Sequence, residues 1–172
     1  LKQVPKAIKS EKKTDWINES WKYYFVGDNG PAKIAASKAR SAENDNPQCY
    51  VVSAWVELAD AWGSDREKRQ TYRKAKEYAD ESYVLDLEKE HVADVNFARG
   101  VCFAAISQHA NAIECFLRAL QEANPFTFCD IAWRAAISYT ILKEYDKAVD
   151  ICLIALKVGA EIDDDILLHK VY

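Results

Sequence analysis

Apolar residues along this chain return at intervals of three and four, the spacing that lays a stripe along an α-helix, rather than at the interval of two that a strand requires. The stretch "HANAIECFLRALQEANP", residues 109–125, shows the pattern: Ala112, Phe116 and Ala119 fall on one face and Asn124-Pro125 follows. Glycine and proline number only five and four, and breaks fall at 27–31, 44–47, 62–65, 124–125 and 158–165. The pattern therefore predicts an all-α chain cut into antiparallel helix pairs.

The stripes also repeat over longer distances. A shift of 36 residues aligns Phe97 with Trp133, Phe103 with Tyr139, Ile106 with Leu142, Ala112 with Ala148, Leu117 with Leu153, Ala119 with Ala155 and Leu120 with Leu156. A shift of 80 aligns Ile17 with Phe97, Tyr23 with Phe103, Val26 with Ile106, Ala32 with Ala112 and Ala39 with Ala119. The second quarter fits less regularly. A shift of 41 brings Thr71, Ala75 and Tyr78 onto Ala112, Phe116 and Ala119, with small and large residues exchanged. Self-similarity at such a period marks a stacked array of supersecondary units. The paired alanines let the two helices of a unit approach closely, with Gly100 and Phe103 on the first and Phe116 filling the space between Ala112 and Ala119.

These residues resemble the tetratricopeptide repeat family, whose unit places a small residue and an aromatic on a first helix, then alanine, aromatic and alanine on a second, with a late proline. Gly100, Phe103, Ala112, Phe116, Ala119 and Pro125 supply that set in the third unit, and Tyr139, Tyr145, Ala148 and Ala155 part of it in the fourth. Trp16, Tyr23, Ala32, Ala39 and Pro47 supply it in the first, and the likeness runs over roughly residues 14–159. The resemblance implies a right-handed α-solenoid of antiparallel helix pairs, with about four repeats plus a terminal helix. The expected divisions are a basic extension at 1–13, repeats at 14–47, 48–88 (irregular), 89–125 and 126–160, and at 161–172 the start of a capping or further helix. Unit spacings exceed the family's value of about 34, which implies longer helices or linkers.

In such stacks the first helices line a concave groove. Carried over to this chain, the groove would show Ile17, Asn18, Trp21, Tyr24 and Phe25, then Val56, Glu57 and Asp60, then Asp94, Phe97 and Val101, then Asp130, Trp133, Arg134, Ile137 and Ile141. That lining is aromatic and acidic, so the expected occupant is an amphipathic or basic peptide or protein segment. The family's clamp for chaperone carboxylate tails is disfavoured, because Ile17, Trp21, Glu57, Asp94 and Ala98 stand where it needs lysine and asparagine, and only Arg134 matches part of it. The rival reading within binding is self-association through the carboxyl end, where Ile166, Leu167 and Leu168 need a cover. A regulatory repeat domain of a larger protein ranks third.

Composition narrows the picture further. The chain has 172 residues, 49% of them apolar, and a formal charge of −4, so no global field draws it to nucleic acid or an anionic membrane. No run approaches the roughly 18 apolar residues of a membrane helix. Methionine is absent and the chain opens on Leu1, which suggests a fragment or a processed chain. Five cysteines without CxxC spacing fit reduced core thiols and an intracellular, cytoplasmic setting. "REKRQTYRKAK", 66–76, joins the lysines of the amino extension as a basic strip, and its placement on a second helix reads as a solvated outer face, which makes RNA binding a distant alternative.

Catalytic chemistry finds no footing in the pattern. His91, His109 and His169 stand apart from any ligand set, with His109 at the repeat position of Tyr145. "EIDDD" at 161–165 lacks the alternating ligands and closing glutamate of a calcium loop. A glycine-rich phosphate cradle is missing too. The expectation is a non-enzymatic interaction module with no catalytic residue, no metal and no cofactor.

Overall fold

The computed structural model describes residues 14–161 other than Trp62 and Leu87. The basic extension 1–13 and the residues after Glu161, including Ile166, Leu167, Leu168 and His169, lie outside them. Among the described residues there are eight helices and no strand: α1 Trp16–Phe25, α2 Asn29–Ala42, α3 Pro47–Ala59, α4 Asp65–Leu85, α5 Val92–Ala105, α6 His109–Glu122, α7 Pro125–Ile141 and α8 Tyr145–Glu161. Consecutive helices pack as pairs, and the first helices α1, α3, α5 and α7 also touch one another in order. No described helix is long and apolar enough to cross a membrane.

Three of the four pairs close with the same turn. Each first helix ends in a residue with left-handed backbone, Gly27 (φ 79°), Ser107 (φ 64°) or Lys143 (φ 63°). The amide after it donates back five residues: Asp28 to Tyr23, Gln108 to Phe103 and Glu144 to Tyr139, all at 2.9 Å. The left-handed residue itself donates to Tyr24, Ala104 or Thr140, which completes a Schellman closure of the helix end. Residues 27, 107 and 143 are the positions that the shifts of 80 and 36 superimpose.

Between paired helices the alanine stripe is buried as its spacing requires. Ala32, Ala36 and Ala39 on α2, Ala112, Phe116 and Ala119 on α6, and Ala148 and Ala155 on α8 all face inward. Gly100 on α5 lies so close to the Phe116 ring that an added Cβ would stand 2.4 Å from it. The same repeat positions hold Ala136 and Cys152 in the last pair, and Ser20 and Ala36 in the first. A ring thus sits over the bare glycine, while smaller groups go with residues that carry a Cβ.

The second pair departs from this register. On α4 the buried residues are Ala75, Ala79 and Ser82, which match Ala112, Phe116 and Ala119 at a shift of 37 rather than 41. Thr71 and Tyr78 are half-buried instead. The cause is length: α4 ends where α6 ends in this register but begins seven residues earlier, so two extra turns precede its packed part. A full capping box anchors that early start, with Ser64 Oγ accepting from the Glu67 amide and Glu67 Oε2 accepting from the Ser64 amide at 2.8 Å.

Asn46-Pro47 and Asn124-Pro125, which the sequence pattern places at repeat ends, instead open the following helices. Asn46 Oδ1 accepts from the Gln48 amide and Asn124 Oδ1 from the Thr127 amide, both at 3.0 Å. Each proline takes the first helical position, where a missing N–H costs no helical hydrogen bond.

Candidate binding cleft

The four first helices enclose a cleft of about 610 Å³, and every one of them contributes to its wall. From α1 come Asn18, Trp21, Tyr24 and Phe25; from α3 Gln48, Val51 and Trp55; from α5 Asp94 and Phe97; from α7 Thr127, Asp130 and Arg134. A cleft of this size lies within the usual range for ligand sites, which is about 300–1,000 Å³.

Aromatic rings run through the wall as one connected series. Trp21 stacks on Phe25 with centroids 5.7 Å apart and meets Tyr24 edge-on at 5.5 Å. Tyr24 reaches Trp55 at 6.5 Å, Trp55 reaches Phe97 at 5.2 Å, and Phe97 touches Phe116 in the core at 6.3 Å. The series therefore begins on an exposed ring, Phe25 at 77% exposure, and ends on a fully buried one. Edge-to-face rings hold one another in fixed orientations, so the wall is preorganised.

Charge is concentrated on the far side. Asp94 accepts from Gln48 Nε2 at 3.0 Å, which ties α5 to α3. Asp130 lies 3.6 Å from Arg134 Nε, too far for a hydrogen bond, and that buried nitrogen has no hydrogen-bond partner among the described residues. The Arg134 guanidinium instead faces rings, at 5.9 Å from Trp55, 5.7 Å from Phe97 and 5.8 Å from Trp133. Burial pushes the Tyr24 hydroxyl pKa above its ordinary value, with Arg134 opposing that shift and Asp130 adding to it. Charges on α7 thus act on α1 across the cleft.

The structure brings together Trp21, Tyr24, Phe25, Asp94, Phe97, Asp130 and Arg134 from the sequence-based groove, with Asn18. It places the others elsewhere. Val56 is buried in the core with Ala32, Ala36 and Val52. Glu57 is buried between helices, where it accepts from Lys74 at 2.6 Å and pairs with Lys33 at 3.3 Å, and Asp60 caps α3 and pairs with Lys33 at 2.5 Å. Val101 packs against the core of the last two pairs, and Ile17 is half-buried on α1 outside the cleft wall. Trp133, Ile137 and Ile141 are exposed along α7 outside that wall.

Gln48, Val51, Trp55 and Thr127 are cleft residues that the sequence pattern did not single out. Helix α3 is apolar almost all round and buries Cys49, Val51, Val52, Ser53, Ala54, Val56 and Glu57 against four neighbours, so no stripe marks which face is inward. The spacing of three and then four that joins Gln48, Val51 and Trp55 was the available signal.

No family model and no curated protein matches the chain by sequence. Solved structures match its shape. A thermophilic tetratricopeptide repeat protein, TTC0263 of Thermus thermophilus, superimposes with a TM-score of 0.75 over 90% of this chain and 76% of its own, at 16% identity. The crystal structure of MamA gives 0.65 over 86% and 78%, also at 16% identity. The chain has the fold of a tetratricopeptide-type α-solenoid.

Proposed function

We propose that this chain is a non-enzymatic interaction module, an adaptor or assembly scaffold, whose cleft between α1, α3, α5 and α7 takes an amphipathic, cation-bearing segment of another protein. One observation carries the reading: the connected rings of Phe25, Trp21, Tyr24, Trp55 and Phe97 form an apolar wall beside Asp94 and Asp130 in a single 610 Å³ cleft. Fixed aromatic anchors in a groove are where binding energy concentrates, about 2 kcal/mol or more for one hot spot. The carboxylates then favour a partner whose apolar side chains alternate with lysine or arginine. The five free thiols fit a reducing, intracellular setting for that encounter.

A panel of amphipathic basic peptides, titrated against the tryptophan fluorescence of the intact chain, tests the reading. Trp21→Ala should weaken binding tenfold or more, about 1.4 kcal/mol, and Asp94→Asn with Asp130→Asn should weaken it less and remove its salt dependence. Binding untouched by all three, with helicity preserved, would overturn the assignment.

A second reading, self-association through the end of the stack, has its own support. Trp133, Ile137, Tyr145 and Val149 are exposed, whereas Phe97, Val101, His109 and Ile113, one repeat earlier, are half-buried or buried beneath the last pair. Sedimentation across a wide concentration range separates the two, since a constant monomer mass removes the second.

A further inference from the structure

The two extra turns at the start of α4 build a second cleft. Its floor is one face of that overhang and of the turn that follows it, Asp65, Lys68, Arg69, Tyr72 and Arg73, at the three- and four-residue spacings that align side chains on a helix. Its opposite wall is the turn from α5 to α6, Ala105, Ile106, Ser107 and Gln108, and the enclosed volume is about 380 Å³. It shares no residue with the cleft between the first helices.

Charge sets this place apart. Eight cations of the described residues, Lys22, Lys33, Lys74, Lys76, Arg99, Arg118, Arg134 and Lys147, have a carboxylate within 4.0 Å. Lys68, Arg69 and Arg73 have none among the described residues, and neither does the adjacent Arg66. With Asp65 counted, the cleft carries a formal charge of +2 on a chain whose total is −4. Helix α6 opens beside this wall, and Gln108 at its cap gives no side-chain bond to the first amides of the helix.

We propose that this cleft binds a phosphorylated side chain of a partner protein. A phosphate monoester carries a charge of about −1.5 to −2 near neutrality and three acceptor oxygens. Two guanidinium groups one helical turn apart, with an ammonium beside them, match that charge and that number of acceptors, whereas a single carboxylate would leave cations over. The Tyr72 hydroxyl on the floor and the Ser107 hydroxyl on the opposite wall supply neutral donors. The enclosure suits one side chain rather than a nucleic-acid backbone, which would need cations in a long track beyond the overhang.

The test is a fluorescence-polarisation titration of the intact chain with a labelled pentapeptide, Ala-Ala-phosphoserine-Ala-Ala, and with its unphosphorylated form. Saturable binding of the phosphorylated peptide alone is expected, weakened about tenfold or more by Arg69→Gln with Arg73→Gln, and severalfold by Lys68→Gln. Lys143→Gln with Lys157→Gln removes two other exposed cations, with no carboxylate within 4.0 Å among the described residues, and the same total charge, and should leave binding unchanged. All of these side chains lie on the surface or close to it, so circular dichroism should show native helicity throughout. Equal binding of the unphosphorylated peptide, equal loss in the Lys143 and Lys157 variant, or tighter binding of a thymidine oligonucleotide or of phosphatidylserine vesicles would each overturn the proposal.

Discussion

The third helix pair and the second solve the same packing problem by different means. Helices α5 and α6 close through shape, with the Phe116 ring over bare Gly100 and no ion pair between the two helices among the described residues. Helices α3 and α4 close over small residues, Ala54, Ala75 and Ala79, and add a buried carboxylate, Glu57, held by Lys74 of α4 and Lys33 of α2. Shape complementarity tolerates no change of length or volume. The smaller, charge-assisted seam leaves α4 free to extend, and the extension is where the second cleft forms.

Substitutions can break this contrast at graded cost. Phe116→Ala should be the most damaging, about 3–5 kcal/mol, because the ring is fully buried and Gly100 offers nothing to refill its space. Chemical denaturation monitored by helicity checks it, and a loss below about 1 kcal/mol would mean the pair is not held by that ring. Gly100→Ala should cost about 1–3 kcal/mol through overpacking. Combining it with Phe116→Cys should cost less than the two single changes summed, since the last pair already works with Ala136 and Cys152 at those positions.

The second pair should respond to solution conditions that the third ignores. Glu57→Gln is expected to cost about 1 kcal/mol, modest because both lysine partners keep much of their contact with water. In molar salt that cost should shrink, while the cost of Phe116→Ala stays. Ser64→Ala removes the cap of the overhang and should cost about 1 kcal/mol, read by hydrogen exchange as early opening of Asp65–Thr71 alone. Smallest at neutral pH is the thiol effect. Burial pushes Cys102 of α5 up to about 12 and Cys49 of α3 to about 11. Both raised values favour the neutral folded thiol, so their stabilisation is whole below pH 9.0 and is lost as pH rises through those values. Alkylation near pH 8 should therefore reach half-buried Cys152 well before either.

The contrast also explains what could be read from the amino acids alone. The regular pairs announced themselves, because the shifts of 36 and 80 that align alanines and aromatics also align the left-handed residues Gly27, Ser107 and Lys143. The register of α4 slipped by four because its added turns, Asp65–Thr71, are polar and leave the apolar stripe without a marked beginning. The cleft was legible on α1, α5 and α7, where aromatic and acidic residues share a face. It was not legible on α3, whose sides are nearly all buried, nor on the part of α7 next to and after Arg134, where exposed Trp133 and Ile137 look like groove residues in a pattern of apolar positions.

Because the backbone of each helix pair packs only against that of its immediate neighbours, lengthening α4 at its start displaces nothing further along the row. The surplus projects into water, close to a turn it was never needed to support. The two clefts are thereby built from separate residues: the wall between the first helices can keep its rings while the start of α4 carries charge. An architecture of this kind gains surface by elongation of one rod, without disturbing what the rest of the row presents.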